Sequence, residues 1–255
     1  AVTQGLQMKL IPLDDPVSSL RLIKDPTELR LLKEAAALGS CGYDYVLTLL
    51  KEGITGEEIA LELEIFWRRN GGKSLAFESI IAFGANSSKP HYRPGKNPLK
   101  KGDTVLIDIG VNCNYYHSDM TRVVFFGEPH PQMLNIYQIV KEAQQAALDL
   151  CRPGVLIGNL DKAARQHIAS SGFGEFFSHG LGHGVGLEIH ESPWVRSRPP
   201  HNNLPLTPGM VITIEPGIYL PGTGGVRIED CVAITETGHE NLTNRHKDLI
   251  IKKIL

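Results

Sequence analysis

The chain has 255 residues, with 26 lysines and arginines against 28 aspartates and glutamates, and 42% hydrophobic residues. That length can bury a sizeable core without disulfide staples, and a net charge of −2 gives no general pull toward nucleic acid or an anionic membrane. No apolar run approaches the roughly 18 residues of a spanning helix, and the opening AVTQGLQMKLIPLDD has no secretory core.

The four cysteines, Cys41, Cys113, Cys151 and Cys231, are scattered and form no C-x-x-C pair. They read as small apolar residues of a reducing compartment, so a cytoplasmic location is expected. The chain begins at Ala1, and only 23 residues precede the first long helical pattern.

That pattern covers residues 24–51, where Leu29, Leu32, Ala36, Gly39 and Tyr43 recur at helical spacing after an Asp25-Pro26-Thr27 start signal. Gly53 ends it, and Thr55 with Glu58 forms a capping box for a second helix to about Asn70. Strand-like pieces follow at Ser79–Phe83, Thr104–Gly110 and Thr121–Phe126, separated by turn residues. Helical spacing returns from Pro131 to about Cys151 and from about Asn159 to Ser170; after Gly172 the chain is rich in glycine, proline and strand residues.

The order helix, helix, strands thus occurs twice, and the halves match in detail. LKKGDTVLIDIG (Leu99–Gly110) aligns without gaps on LTPGMVITIEPG (Leu206–Gly217) at an offset of 107, which sets Asp108 opposite Glu215. Lys33-Glu34-Ala35 answers Lys141-Glu142-Ala143 at an offset of 108. The expectation is an α+β domain with internal pseudo-two-fold symmetry, a curved antiparallel sheet backed by two helix pairs. No P-loop, G-x-G-x-x-G, G-x-S-x-G or H-E-x-x-H is present, which argues against nucleotide binding and two common hydrolase classes.

The chemistry gathers where carboxylates interrupt apolar strands. Asp108 follows Val105-Leu106-Ile107 and Glu215 follows Val211-Ile212-Thr213-Ile214, while Asp119 and Glu229 lie 11 and 14 residues further on respectively. Any one of these reads as a solvated strand end. Four carboxylates gathered in a core would repel and protonate unless cations neutralise them, and two divalent metals do so economically. His183, flanked by Gly180, Gly182, Gly184 and Gly186, adds a nitrogen donor where glycine permits close backbone approach.

HGLGHGVGLEIHE (His179–Glu191), LIDIGV with HSDMTR, IEPGIY and VRIED resemble the signature segments of the pita-bread metallopeptidases, in the family's order and over about residues 24–250. The glycine-histidine block with its downstream Ile-His-Glu is similar to the proline-directed branch, aminopeptidase P and prolidase, more than to methionine aminopeptidase. The resemblance implies a pita-bread fold of two pseudo-symmetric ααβ halves and a five-ligand dinuclear site. In it Asp108 chelates one ion, Asp119 and Glu229 bridge both, and His183 and Glu215 complete the second. Oxygen-rich ligation with one imidazole and no thiolate suits Mn²⁺, with Co²⁺, Fe²⁺ or Zn²⁺ also compatible.

The implied activity is removal of a residue before proline from a peptide, or cleavage of Xaa-Pro dipeptides. Glu215 is the implied proton shuttle, His91, His179 and His190 the implied contacts to substrate or intermediate, and Arg227 the implied partner that orients the bridging carboxylates. Tyr92, Tyr219, Trp194 and Phe83 are candidate walls for a proline ring, and His117 is the least safely structural of the remaining histidines. Methionine aminopeptidase is the alternative enzyme, a metal-free peptide-binding module on the same fold the alternative outside catalysis, and a homodimer is allowed. Proline-directed members commonly carry an N-terminal domain, so residues 1–23 are expected to be its linker or remnant and 24–255 the catalytic domain.

Overall fold

The computed structural model describes residues 15, 17–243 and 245–252. The segment 1–14, most of the expected linker, lies outside them. The remainder of that linker holds a short helix, α1 (Ser18–Leu22).

The two long helices that follow are α2 (Pro26–Leu49) and α3 (Gly56–Arg69). Both open with complete capping boxes, Asp25 with Glu28 and Thr55 with Glu58, each satisfying backbone N–H groups that no preceding turn can reach. The strands of the first half are β1 (Ser74–Leu75), β2 (Ile80–Phe83), β3 (Thr104–Ile109), β4 (Val111–Cys113), β5 (Tyr116–His117) and β6 (Met120–Phe126). The second half repeats the scheme with α4 (Pro131–Leu148) and α5 (Ile157–Ser170), then β7 (Gly182–Gly184), β8 (Glu191–Val195), β9 (Val211–Ile214), β10 (Gly217–Leu220), β11 (Gly224–Arg227), β12 (Asp230–Ile234) and β13 (His239–Asn241). The last strand, β14 (Ile250–Lys252), returns to the first half.

The two main sheets run β14-β6-β3-β2 and β13-β12-β9-β7-β8, with β10–β11 a separate hairpin. Their pairings are antiparallel except at one edge, where β14 lies parallel to β6 with Ile250 opposite Val124. The parallel edge departs from the all-antiparallel expectation. The repeat does not include β14, so periodicity could not announce it.

Side-chain alternation decides what each sheet offers the centre. In the first sheet Ile81, Phe83, Val105, Ile107, Val124 and Phe126 pack with Tyr43, Ile59, Leu63 and Trp67 of α2 and α3. The other face carries Leu106, Val123 and Phe125, which join the core around α4 and α5. Asp108 has the parity of Leu106 and pairs across strands with Ile80 and Thr121, so it faces away from α2–α3 and toward the second half.

In the second sheet Ile212, Ile214, Val232 and Ile234 join the core around α4 and α5. The opposite parity gives Thr213 and Cys231, with Glu215 and Glu229 continuing it just beyond β9 and just before β12. Each half turns its carboxylates away from its own helix pair. Glu229 N–H donates to Thr121 O at 3.1 Å, stitching the halves together beside those carboxylates.

Candidate metal centre

The glycine-rich segment reaches the centre because Gly182 carries no side chain: a Cβ there would lie 2.1 Å from the Thr213 carbonyl oxygen. The His183 backbone N–H then donates to Thr213 Oγ1 at 3.1 Å, and the Thr213 hydroxyl donates to Glu215 Oε1 at 3.0 Å. His183 Nδ1 donates to the Gly184 carbonyl at 3.0 Å, which leaves Nε2 as a bare lone pair. That atom stands 3.6 Å from Asp119 Oδ2 and 3.4 Å from Glu215 Oε1.

Asp119, His183 and Glu229 offer ligand atoms within 4.8 Å of one another, and all three are buried. Asp108 and Glu215 border the same cavity, outside that tight group. The Arg227 guanidinium donates to Asp108 Oδ2. Asp108 Oδ1 is buried with no hydrogen-bond partner. An anionic oxygen so placed suits a cation.

The electrostatics agree. Burial raises Asp119 well above its ordinary carboxylate range, with the charges of Asp108 and Glu215 adding to the effect. Glu229 is raised likewise, by burial first and then by Asp119, Glu215 and Asp108. Burial pushes Glu215 up to about 7 against the opposing charge of Arg227. His183 is pushed down to about 3 by burial and by neighbouring His190, which keeps it neutral. Uncharged imidazole and crowded carboxylates together form a ligand set that a divalent ion completes.

A cavity of about 440 Å³ brings together Asp108, Asp119, His183, Glu215, Glu229, His91, His179, His190 and Arg227. The three accessory histidines differ in their surroundings. His179 has both nitrogens engaged: Nδ1 donates to Gly180 O at 2.7 Å, and Nε2 accepts from the Tyr219 hydroxyl at 2.8 Å. His190 lies edge-on to His183 with ring centroids 4.4 Å apart and stacks on Trp194 at 6.4 Å.

Arg227 is tied to two of the site's carboxylates. It reaches Glu229 only through Thr121, whose hydroxyl accepts from Arg227 Nε at 3.1 Å and donates to Glu229 Oε2 at 2.7 Å. Its other contacts are Asp108 and, at 2.7 Å, the Tyr219 hydroxyl.

Two candidate proline walls are relocated. Phe83 has the parity of Ile81 and packs in the core against α2 and α3, on the far side of the sheet from the cavity. Tyr219 is buried, and its hydroxyl links Arg227 to His179. Tyr92 and Trp194 do line the cavity, joined by Phe77, Ile80 and Pro90, which sequence reading missed. The parity of Ile80 with Asp108 was the available signal for one of these. His117 is tied to the glycine-rich segment, its ring Nδ1 donating to Gly186 O at 3.2 Å.

The model of metallopeptidase family M24 matches residues 30–236. The chain belongs to metallopeptidase family M24. It is a peptidase of the pita-bread fold that uses divalent metal. The Xaa-Pro dipeptidase of Pyrococcus horikoshii is 40% identical over 237 residues, 93% of this chain and 67% of that protein. Among solved structures, the Xaa-Pro dipeptidase from Bacillus anthracis superimposes with a TM-score of 0.93 at 39% identity, covering 98% of this chain and 70% of that one. The X-Pro aminopeptidase from Thermotoga maritima superimposes with a TM-score of 0.91 at 39% identity, covering 96% of this chain and 68% of that one. This M24 chain therefore spans about two thirds of these relatives' length.

Proposed function

We propose that this M24 chain hydrolyses the peptide bond before proline and holds two divalent ions, Mn²⁺ by preference, on Asp108, Asp119, His183, Glu215 and Glu229. The observation that carries the reading is the convergence of Asp119, His183 and Glu229 within 4.8 Å in a cavity also bordered by Asp108 and Glu215. Four carboxylates balance two divalent charges, and oxygen ligands with one imidazole suit Mn²⁺. Bound there, such ions supply Lewis acidity for the scissile carbonyl and acidify a water nucleophile.

The chain's own residues do the rest. Three candidate ligand carboxylates each have one oxygen held by a protein donor, Asp108 by Arg227, Glu215 by Thr213 and Glu229 by Thr121. Such partners fix the orientation of a ligand before the ion arrives. Glu215 would take the proton released by the attacking water and deliver it to the leaving nitrogen. His190 and His91 face the cavity and donate to the substrate carbonyl and the developing oxyanion, while His179, held by Tyr219 and Gly180, supports the wall.

Specificity follows from the lining. A proline nitrogen carries no N–H, so its pocket needs shape and apolar surface rather than an acceptor. Phe77, Ile80, Pro90, Tyr92 and Trp194 provide that surface. Arg196 and Arg198, also on the cavity wall, suit the free carboxylate of a short substrate.

The test is metal reconstitution followed by assay of Xaa-Pro dipeptides, the same dipeptides amidated at the C-terminus, Xaa-Pro-peptides and Met-Ala peptides. Expected are turnover before proline, a higher KM for the amidated dipeptides, and joint loss of turnover and metal in Asp119→Ala. Release of Met from Met-Ala with the proline substrates untouched overturns the specificity. Activity surviving in Asp119→Ala overturns the site.

A further inference from the structure

His190 has its ring placed by the backbone and by ring packing. Its ring touches His183 and Trp194 only through ring–ring contacts. The residue after it, Glu191, is the first of β8, pairs with Gly184, and follows a register irregularity at His183–Gly184. Where Glu191 sits therefore sets how the segment bearing His190 closes over the cavity.

An unusual arrangement fixes Glu191. Its carboxylate is 7% exposed and accepts from Lys24 Nζ at 2.7 Å and from Arg21, while the Glu188 backbone N–H adds a contact at 3.3 Å. The Lys24 side chain is 1% exposed, and its backbone N–H is fixed to Gly209 O at 2.8 Å. The same carboxylate roofs Gly186, where a Cβ would lie 2.6 Å from Glu191 Oε1. An ammonium is costly to bury, so a lysine placed in a core against a carboxylate 167 residues away marks a constrained position. Nothing in the hydrolytic chemistry uses Lys24, Arg21 or Glu191 directly.

We propose that Lys24 and Arg21, acting through Glu191, are positioning residues for His190. The clamp fixes the backbone on the C-terminal side of His190 and with it the distance from the imidazole to the Asp119–His183–Glu229 group. This rests on the reading of His190 as a substrate contact.

The test is a double-mutant cycle in the metal-reconstituted protein, using Lys24→Met and His190→Ala alone and together, with metal content and melting temperature measured on each. A displaced contact costs about tenfold to a hundredfold in rate, so Lys24→Met should lower kcat by that factor at unchanged metal content. In the His190→Ala background it should change kcat less than about twofold, because the residue it positions is gone. Glu191→Gln keeps the shape and a hydrogen-bond acceptor and should show the same non-additivity, which keeps the test open should Lys24→Met fail to fold. Equal losses in both backgrounds, an unchanged kcat in Lys24→Met, or activity falling only with metal content overturns the clamp. If His190→Ala alone leaves Xaa-Pro turnover intact while Asp119→Ala is inactive, the role of His190 itself fails, and the clamp with it.

Discussion

Glu191 illustrates how one carboxylate can couple the α1 segment to a loop. Burial alone would raise its pKa, yet the charge and hydrogen bond of Lys24 and the hydrogen bond of Arg21 outweigh it and hold Glu191 below its ordinary range. Lys24 is itself held below its ordinary range by burial, with Glu191 opposing. A carboxylate whose folded pKa lies below its unfolded value contributes stability that is complete above the unfolded value, 4.5 here, and lost as pH falls through the folded one. Glu191→Gln should therefore melt below the wild type at pH 7, by on the order of 3 kcal/mol for an unneutralised buried lysine. The gap should narrow as pH falls below 4.5, which thermal melts across pH will check. A constant gap down to pH 3 would mean that the ionised carboxylate is not the source.

Among the elements, β6 and β12 of the two main sheets are tied to each other by Arg122. Arg122, 2% exposed, donates to the Thr121, Glu229 and Arg245 carbonyls and to Asp230 Oδ1, and Asp230 also accepts from Lys247, Gln144 and Asn241. Removing the guanidinium takes a donor from the buried Asp230 Oδ1 and another from the Glu229 carbonyl, while Lys247, Gln144 and Asn241 still reach Asp230 Oδ2. Arg122→Met is expected to destabilise the protein by about 3–5 kcal/mol, measurable by denaturant unfolding. The sequence contained the helices through their caps and the strands through alternation, because those signals are local. It also contained Asp108 and Glu215 as a pair, because the repeat aligns them. The Arg122–Asp230 tie, the Thr121 and Thr213 hydroxyls on their glutamates and the Lys24–Glu191 clamp were not legible there. Their partners meet only after the chain has folded, and polar residues in strands have no periodicity of their own. Parity also explains why Phe83 was misread: an aromatic next to the site in sequence lies on the opposite face of β2.

At the scale of the molecule, two ααβ halves each fold a helix pair onto one side of a sheet and present carboxylates on the other. No helix among the described residues is long and apolar enough to cross a membrane. Metal binding acts on the whole fold, since an ion that binds only the assembled site stabilises by about 2.7 kcal/mol when free at about 100 times its Kd. Chelation should then lower the melting temperature by roughly 5–11 °C for a chain of this size. Asp119→Ala should be nearly insensitive to chelator, and an equal shift in both proteins would refute a site built on Asp119. The division of the proposed ligands between the halves bears finally on how the enzyme can move. Asp108 and Asp119 come from the first half and Glu215 and Glu229 from the second, while coordination tolerates only about 0.2 Å of error. A hinge between the halves would pull the ligand set apart with every opening. On that ligand set, breathing that admits a peptide would be confined to the rim, in the segment carrying His91, above a seam that stays shut.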